Sequence, residues 1–440
     1  MIQRLWEQTM RYPLRGGTFL IGGWAWVLIT GVLLQWWVIP ATPWHAGYGL
    51  LAGGDWVMFH EQALRLAESI EREGWSAWVL RYEGQAPASL AAAFYVLSGI
   101  REPWVLLPIS GMLYAVALVA AVSIGQALGV KDNLTWLIIV PFIFPSSLLI
   151  YGQLQKDILS LPGVLLFAWS WVMTFGRQPL QSSRSWKIAA AATVGVLLSW
   201  WVRPYQAQLL VAISALLWIF ALGMAAQQRQ WFSLGVKATV VFFCVVSVYL
   251  SAEKLTNLTA PAVPAAPAAP PCETWKPEVD LPILGRPIAA IFCYRHGFIR
   301  FLSDGNANID HDRPLTNYVE ALAYVPRALQ VGVLAPFPVH WWDEASSPGG
   351  RVKRLISGLE MVWVYGTLVG LFWVWRYRGI DSAFVSLSII AIIGILFYVY
   401  TSPNVGALYR YRLPFLLLLL IAATAGWSKR INTLDKTRTN

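Results

Sequence analysis

Residues 87–99 read Pro87-Ala-Ser-Leu-Ala-Ala-Ala-Phe-Tyr-Val-Leu-Ser-Gly99. The run is apolar but short, and whether it crosses a membrane decides the topology of everything after it. Crossing about 30 Å of hydrocarbon takes roughly 20 helical residues. Counting 87–100 as a span would move Arg177, Arg184 and Lys187 to the outer side and leave an odd number of crossings. Basic residues in short loops mark the cytoplasmic side. The run therefore reads as interfacial or re-entrant, and residues 40–103 become one long outer loop.

The rest of the chain fits an all-α polytopic membrane protein. Of its 440 residues 57% are hydrophobic, only 13% are charged, and 25 are tryptophan. A soluble chain of this length carries nearly twice that charge. Apolar runs at 17–38, 104–128, 134–152, 158–176, 188–202, 207–226, 232–251, 358–376, 382–401 and 415–428 make about ten spans in a single transmembrane domain, 1–440. An even count puts both termini on one side. Arg4, Arg11 and Arg15 at the start and Lys429, Arg430, Lys436 and Arg438 at the end make that side cytoplasmic. The first run is too long for a signal-peptide core and reads as a retained anchor. The net charge of +10 belongs to cytoplasmic loops and calls for no nucleic acid.

Two long outer loops, 40–103 and 252–357, hold most of the polar sequence. In the first, Phe59, Ala63, Leu66 and Ile70 recur at helical spacing, which predicts an amphipathic helix over 55–72 lying on the membrane. Glu61/Arg65 and Glu68/Arg72 are spaced to pair on its other side. The second loop opens with the Pro/Ala-rich stretch Pro261–Pro271, an extended spacer. Residues 318–342 read as a further interfacial helix, with an eleventh span as the alternative. Cys272 and Cys293 fall in this loop as either a disulfide or two free thiols.

Chemistry begins at Gly53-Gly54-Asp55-Trp56. Asp55 is the candidate general base, able to take a proton from an attacking hydroxyl. The alternative is that it N-caps the helix that follows. Glu61 and His60 are secondary candidates. Lys156, Arg203, Arg410 and Arg412 sit at span ends on the same side as Asp55, against the charge bias of outer loops. Such cations usually have partners, and a lipid phosphate suits them. The alternatives are snorkelling and local pairs such as Lys156 with Asp157. Arg295, in a basic cluster with His296 and Arg300, either binds anionic headgroups or forms a solvated face. Asp304–Asp312 alternates oxygen-bearing side chains and offers a hard-cation site or an Asn/Asp-rich turn; Leu315 stands where an EF-hand needs its glutamate. The tryptophans Trp75, Trp78, Trp341 and Trp342 read as interfacial anchors or sugar-stacking rings.

Taken together, a first helix, a long loop opening with Asp55 and a bundle with basic outer ends resembles the polyprenyl-phosphate-dependent GT-C glycosyltransferases. The matching segments are Gly53–Ala63, Pro145–Asp157, Arg203-Pro-Tyr205, Ala335–Trp342 and Tyr409–Pro414. The resemblance implies an inverting sugar transfer on the non-cytoplasmic face of a bacterial inner membrane, in envelope or exopolysaccharide assembly. The donor would be a polyprenyl-phosphate-linked sugar, the acceptor a glycan or lipid hydroxyl, and no cofactor is required. Asp55 would be the base, and Arg203 with Tyr205, Arg410 and Lys156 would hold the phosphate. A polysaccharide polymerase or ligase, or a lipid transporter without covalent chemistry, stands as the alternative.

Overall fold

A computed structural model describes residues 16–176, 182–259, 285–301, 307–313, 315–344, 349–377 and 380–439. Among them there is no β-strand, and 17 helices follow one another. The first half has α1 Gly16–Leu33, extended by a π-turn to Val38, then α2 Asp55–Glu73, α3 Ala86–Ser98 and α4 Leu107–Ala127. The pair α5 Trp136–Ile143 and α6 Pro145–Tyr151 leads to α7 Asp157–Phe175, α8 Ser182–Val202, α9 Pro204–Gln227 and α10 Val236–Thr259. The second half has α11 Gly285–Phe301, α12 Tyr318–Leu334, α13 Gly350–Leu368 with its continuation α14 Gly370–Arg376, α15 Ser382–Thr401, α16 Val405–Tyr411 and α17 Leu413–Thr439.

Nine of these helical stretches are long and apolar enough to cross a membrane. The chain is an integral membrane protein, and the spans fall where the hydrophobic runs predict them. One predicted span, 134–152, is broken: α5 and α6 meet at 60° around Phe144-Pro145, because Pro145 has no N–H to continue the ladder. The pair still traverses the bundle. At its lower end the Lys131 N–H bonds Ser428 Oγ at 2.9 Å, and past its upper end Gln155 accepts from Arg410 at 3.4 Å. Those two partners stand at opposite ends of the last span, Leu413–Ile431. Counted as one span, the bent pair brings the described helices long and apolar enough to cross a membrane from nine to ten.

The core forms around α7, whose span is 83% buried, against 17% for the first span, which is peripheral. Gly163 of α7 and Gly195 of α8 cross without side chains. A Cβ on either would run into the other's carbonyl oxygen, so the two backbones approach as small residues allow in membrane bundles.

Residues 86–98 form a 13-residue helix, too short to span. α3 packs face to face on α2, and Phe59, Ala63, Leu66 and Ile70 are buried with Ala91, Ala92 and Tyr95. The stripe thus faces protein, which corrects the expectation of a helix lying on lipid by that face. The expected Glu61/Arg65 and Glu68/Arg72 pairs are also replaced. Arg65 reaches Glu83 at 3.3 Å, and Arg101 takes Glu68 and Glu71. Folding α3 back along α2 brings in charges that local spacing cannot anticipate.

In the second half, α12 begins in a capping box. Asn317 accepts from the Glu320 N–H at 2.9 Å, and Glu320 accepts from Thr316. The helix is 17 residues long and carries Glu320 and Arg327, so 318–342 supplies no span. The spacer 261–271, Cys272 and Asp304 lie outside the described residues. Cys293 is disulfide-bonded and Cys244 is a free thiol.

Candidate functional site

A cavity of about 490 Å³ opens at the upper end of the bundle. Its walls come from five places far apart in the chain: the start of α2 (Gly54, Asp55, Trp56), the break before α6 (Ser146), the turn after α12 (Phe337, His340, Asp343), the start of α13 (Lys353, Arg354) and α16 (Tyr409, Arg410). Another wall is zipped shut where the Val405 N–H bonds Ala307 O at 2.8 Å and the Ile309 N–H bonds Pro403 O at 3.0 Å.

Asp55 and Arg410 meet here at 3.3 Å although 355 residues separate them. The N-cap position is Gly54, with Asp55 the first helical residue and no side-chain cap bond. This corrects the capping alternative: the carboxylate turns to Arg410, in the first turn where the helix dipole favours an anion. Gly54 is required because a Cβ there would enter the Trp56 indole, whose Nε1 donates to Leu51 O.

The cavity wall carries three cations, Lys353, Arg354 and Arg410, against two carboxylates, Asp55 and Asp343. Lys156 follows cavity-lining Gln155 and lies in the field of Asp55, Asp157, Arg203 and Arg410; burial lowers its ammonium pKa. Lys353 Nζ lies 5.7 Å from the Trp56 ring centre. The excess of positive charge in a partly apolar cavity suits an anion with an apolar tail.

Other candidates lie elsewhere, and each has a physical reason. Arg203 is buried on Asp157 at 2.8 Å and Ser160 at 3.1 Å, with Tyr411 stacked over it at 4.5 Å. Asp157 thus pairs with Arg203 and not with Lys156, the local pair offered as an alternative. Arg412 is buried and donates to the carbonyls of Val331, Gly332 and Ala335 at the end of α12. Burial lowers its pKa to about 10, so it stays charged at neutral pH. Arg295 is buried and donates to Asp310 O, Arg313 O and Val399 O. Arg81, which sequence reading passed over, binds the Trp200 and Trp201 carbonyls at the end of α8. The last carbonyls of a helix lack intrahelical partners and carry its negative pole, so guanidiniums collect there. Arg203, Arg295 and Arg412 thus spend donors on protein groups and do not line the cavity.

Tyr205 packs among Tyr294, Phe397 and Tyr398 away from the cavity. His60 is buried under α3, sharing a 2.8 Å hydrogen bond with the Tyr95 hydroxyl, and burial lowers its pKa to about 4. Glu61 is exposed on α2 and does not line the cavity. Asp310 accepts from Tyr324 and Arg327, which gives its carboxylate a structural role. No group of three metal-binding side chains occurs among the described residues.

Sequence reading missed the cavity residues Lys353, Arg354, His340 and Asp343, and also Glu360. Glu360 is buried within a span, where it accepts from Ser146 N at 2.9 Å, Ser146 Oγ at 2.6 Å and the Tyr409 hydroxyl. It thereby satisfies the donors freed at the helix break and fixes the chain next to Arg410. A carboxylate inside a predicted span was the available signal.

The chain matches no protein-family model, no curated protein and no solved structure.

Proposed function

We propose that this protein is a membrane glycosyltransferase. It moves a sugar from a polyprenyl-phosphate donor to an acceptor hydroxyl at the non-cytoplasmic face of a bacterial inner membrane, both termini being cytoplasmic. The observation that carries the reading is the Asp55–Arg410 pair in a cavity rimmed by additional cations. Asp55 is the base that accepts the proton of the attacking hydroxyl. Arg410 and Lys353, backed by Lys156, hold the phosphate and stabilise its charge as it leaves. A phosphate offers Arg410 several oxygens where Asp55 offers one at 3.3 Å. It therefore draws the guanidinium away and leaves the carboxylate to the acceptor.

The polyprenyl tail lies in the bilayer and the reacting end enters the cavity, consistent with charges gathered at one end of an apolar bundle. A polymerase or ligase differs only in an acceptor that is itself lipid-linked.

The test is a transfer assay in nanodiscs with undecaprenyl-phosphate-linked hexoses. Asp55→Asn should fold normally, bind donor and lose roughly 10²–10⁴-fold in turnover. Normal turnover by that variant removes Asp55 as the base. Lipid translocation without transfer by the wild type replaces the enzyme with a transporter.

A further inference from the structure

We infer that His340, oriented by Asp343, is the second proton-transfer group of this cavity and donates to the phosphate oxygen that leaves the sugar. The inference rests on the sugar-transfer reading above.

Both residues line the same cavity as Asp55 and Arg410. His340 Nδ1 lies 2.9 Å from Asp343 Oδ2, and Asp343 is 3.9 Å from Arg354 Nη1. An ionised carboxylate only accepts, so the shared proton belongs to Nδ1. Asp343 thereby fixes the ring and assigns the ligand-facing role to Nε2, which has no protein partner among the described residues. This is how a carboxylate orients a working imidazole.

The turn that presents the pair is held from several sides. Trp341 Nε1 donates to Pro336 O at 2.8 Å, and its indole lies flat on Gly358 of α13, where any Cβ would collide with it. Tyr365 donates to Leu334 O at 2.6 Å, and Arg412 grips the carbonyls of Val331, Gly332 and Ala335. Preorganisation of this kind is what a group that must meet a reacting atom requires.

The step balances. The acceptor oxygen forms its bond to the anomeric carbon as the bond from that carbon to the phosphate oxygen breaks. The electron pair leaves with the phosphate oxygen, which takes the proton from Nε2, while the acceptor's proton passes to Asp55. Asp55 then releases a proton and His340 regains one, so none is consumed overall. The charged groups that share the cavity wall with His340 are the anions Asp343 and Asp55 and the cations Arg354, Lys353 and Arg410.

The test follows kcat between about pH 5 and 9, in nanodiscs, with undecaprenyl-phosphate hexoses. Wild type should lose kcat on the alkaline side as the imidazolium is lost. His340→Gln should lower kcat by roughly 10²–10⁴, leave undecaprenyl-phosphate binding unchanged and abolish the alkaline limb. Asp343→Asn should lower kcat less and keep the limb. In the wild type, undecaprenyl phosphate should slow diethylpyrocarbonate labelling of His340, a readout that needs no variant to fold. An alkaline limb that survives His340→Gln, or labelling that the lipid does not slow, overturns the proposal. If Asp55→Asn is inactive while His340→Gln behaves as wild type, the transferase reading stands and this one falls. If the wild type transfers nothing, both fall.

Discussion

Two aspartate–arginine pairs stand at the same end of this bundle. Asp157 and Arg203 are 2.8 Å apart with side chains only 4% and 2% exposed; Asp55 and Arg410 are 3.3 Å apart and 54% and 28% exposed. The first pair lies in a finished network: Ser160 shares Arg203, Gln206 accepts from Ser160 at 2.9 Å, and Ser199 and Tyr398 close the ring around Gln206. The second has a long contact, open space beside it and more cations than carboxylates around it. A pair whose hydrogen-bonding capacity is spent on protein holds the fold. A pair with capacity left over, in a cavity, is available to a ligand. Sequence alone gave both arginines the same role; burial separates them.

The comparison breaks most visibly at Asp157. Asp157→Asn leaves Arg203 charged and without its counter-ion in a dry site, which should cost about 3–5 kcal/mol. Thermal unfolding in detergent, or loss of monodisperse protein, reads it. A fully stable variant would mean the buried pair is dispensable and the contrast false.

His60 extends the buried side. Its pKa is lowered to about 4 by burial, while the unfolded side chain titrates near 6.5. The unfolded state therefore takes up the proton first as pH falls. Stability from neutral His60 is full above about pH 6.5 and drains away as pH drops towards 4, by at most about 3 kcal/mol. Unfolding midpoints measured across that window should decline, and His60→Gln should flatten the decline.

On the cavity side, Lys353→Ala should leave unfolding unchanged. It should weaken undecaprenyl-phosphate binding by about 1.5–3 kcal/mol, the worth of one charge-assisted bond, as read by native mass spectrometry. Equal affinity would move the phosphate away from α13. The smallest effect belongs to Glu61→Ala. Exposed on α2 and outside the cavity, it should shift stability by no more than about 0.5 kcal/mol and binding not at all.

Much of the fold was legible because the signals are local. The apolar run lengths mark the spans, and the 3.6-residue recurrence of Phe59, Ala63, Leu66 and Ile70 announces a one-sided helix; the break at Pro145 inside 134–152 was not read from the sequence. The covering of that side was not legible, since α3, residues 86–98, supplies it from farther along the chain. Within the site, Asp55 and Arg410 were found because each breaks a local expectation: a polar residue after glycines, a cation against the charge bias. Lys353 and Arg354 were missed because they stand next to a span start and look like ordinary flanking charges. The helix-end partners of Arg295 and Arg412 were not legible, because a guanidinium that closes a helix end and one that waits for phosphate look alike in sequence.

Run length and hydropathy, set residue by residue against the thickness of hydrocarbon, determined that this chain crosses a membrane and roughly where. Those quantities need no partner. Which cation faces a ligand and which is consumed by a carboxylate or a helix terminus was decided only when segments 46 and 355 residues apart were packed together. A charge has no role until its neighbours have taken, or left, its hydrogen bonds.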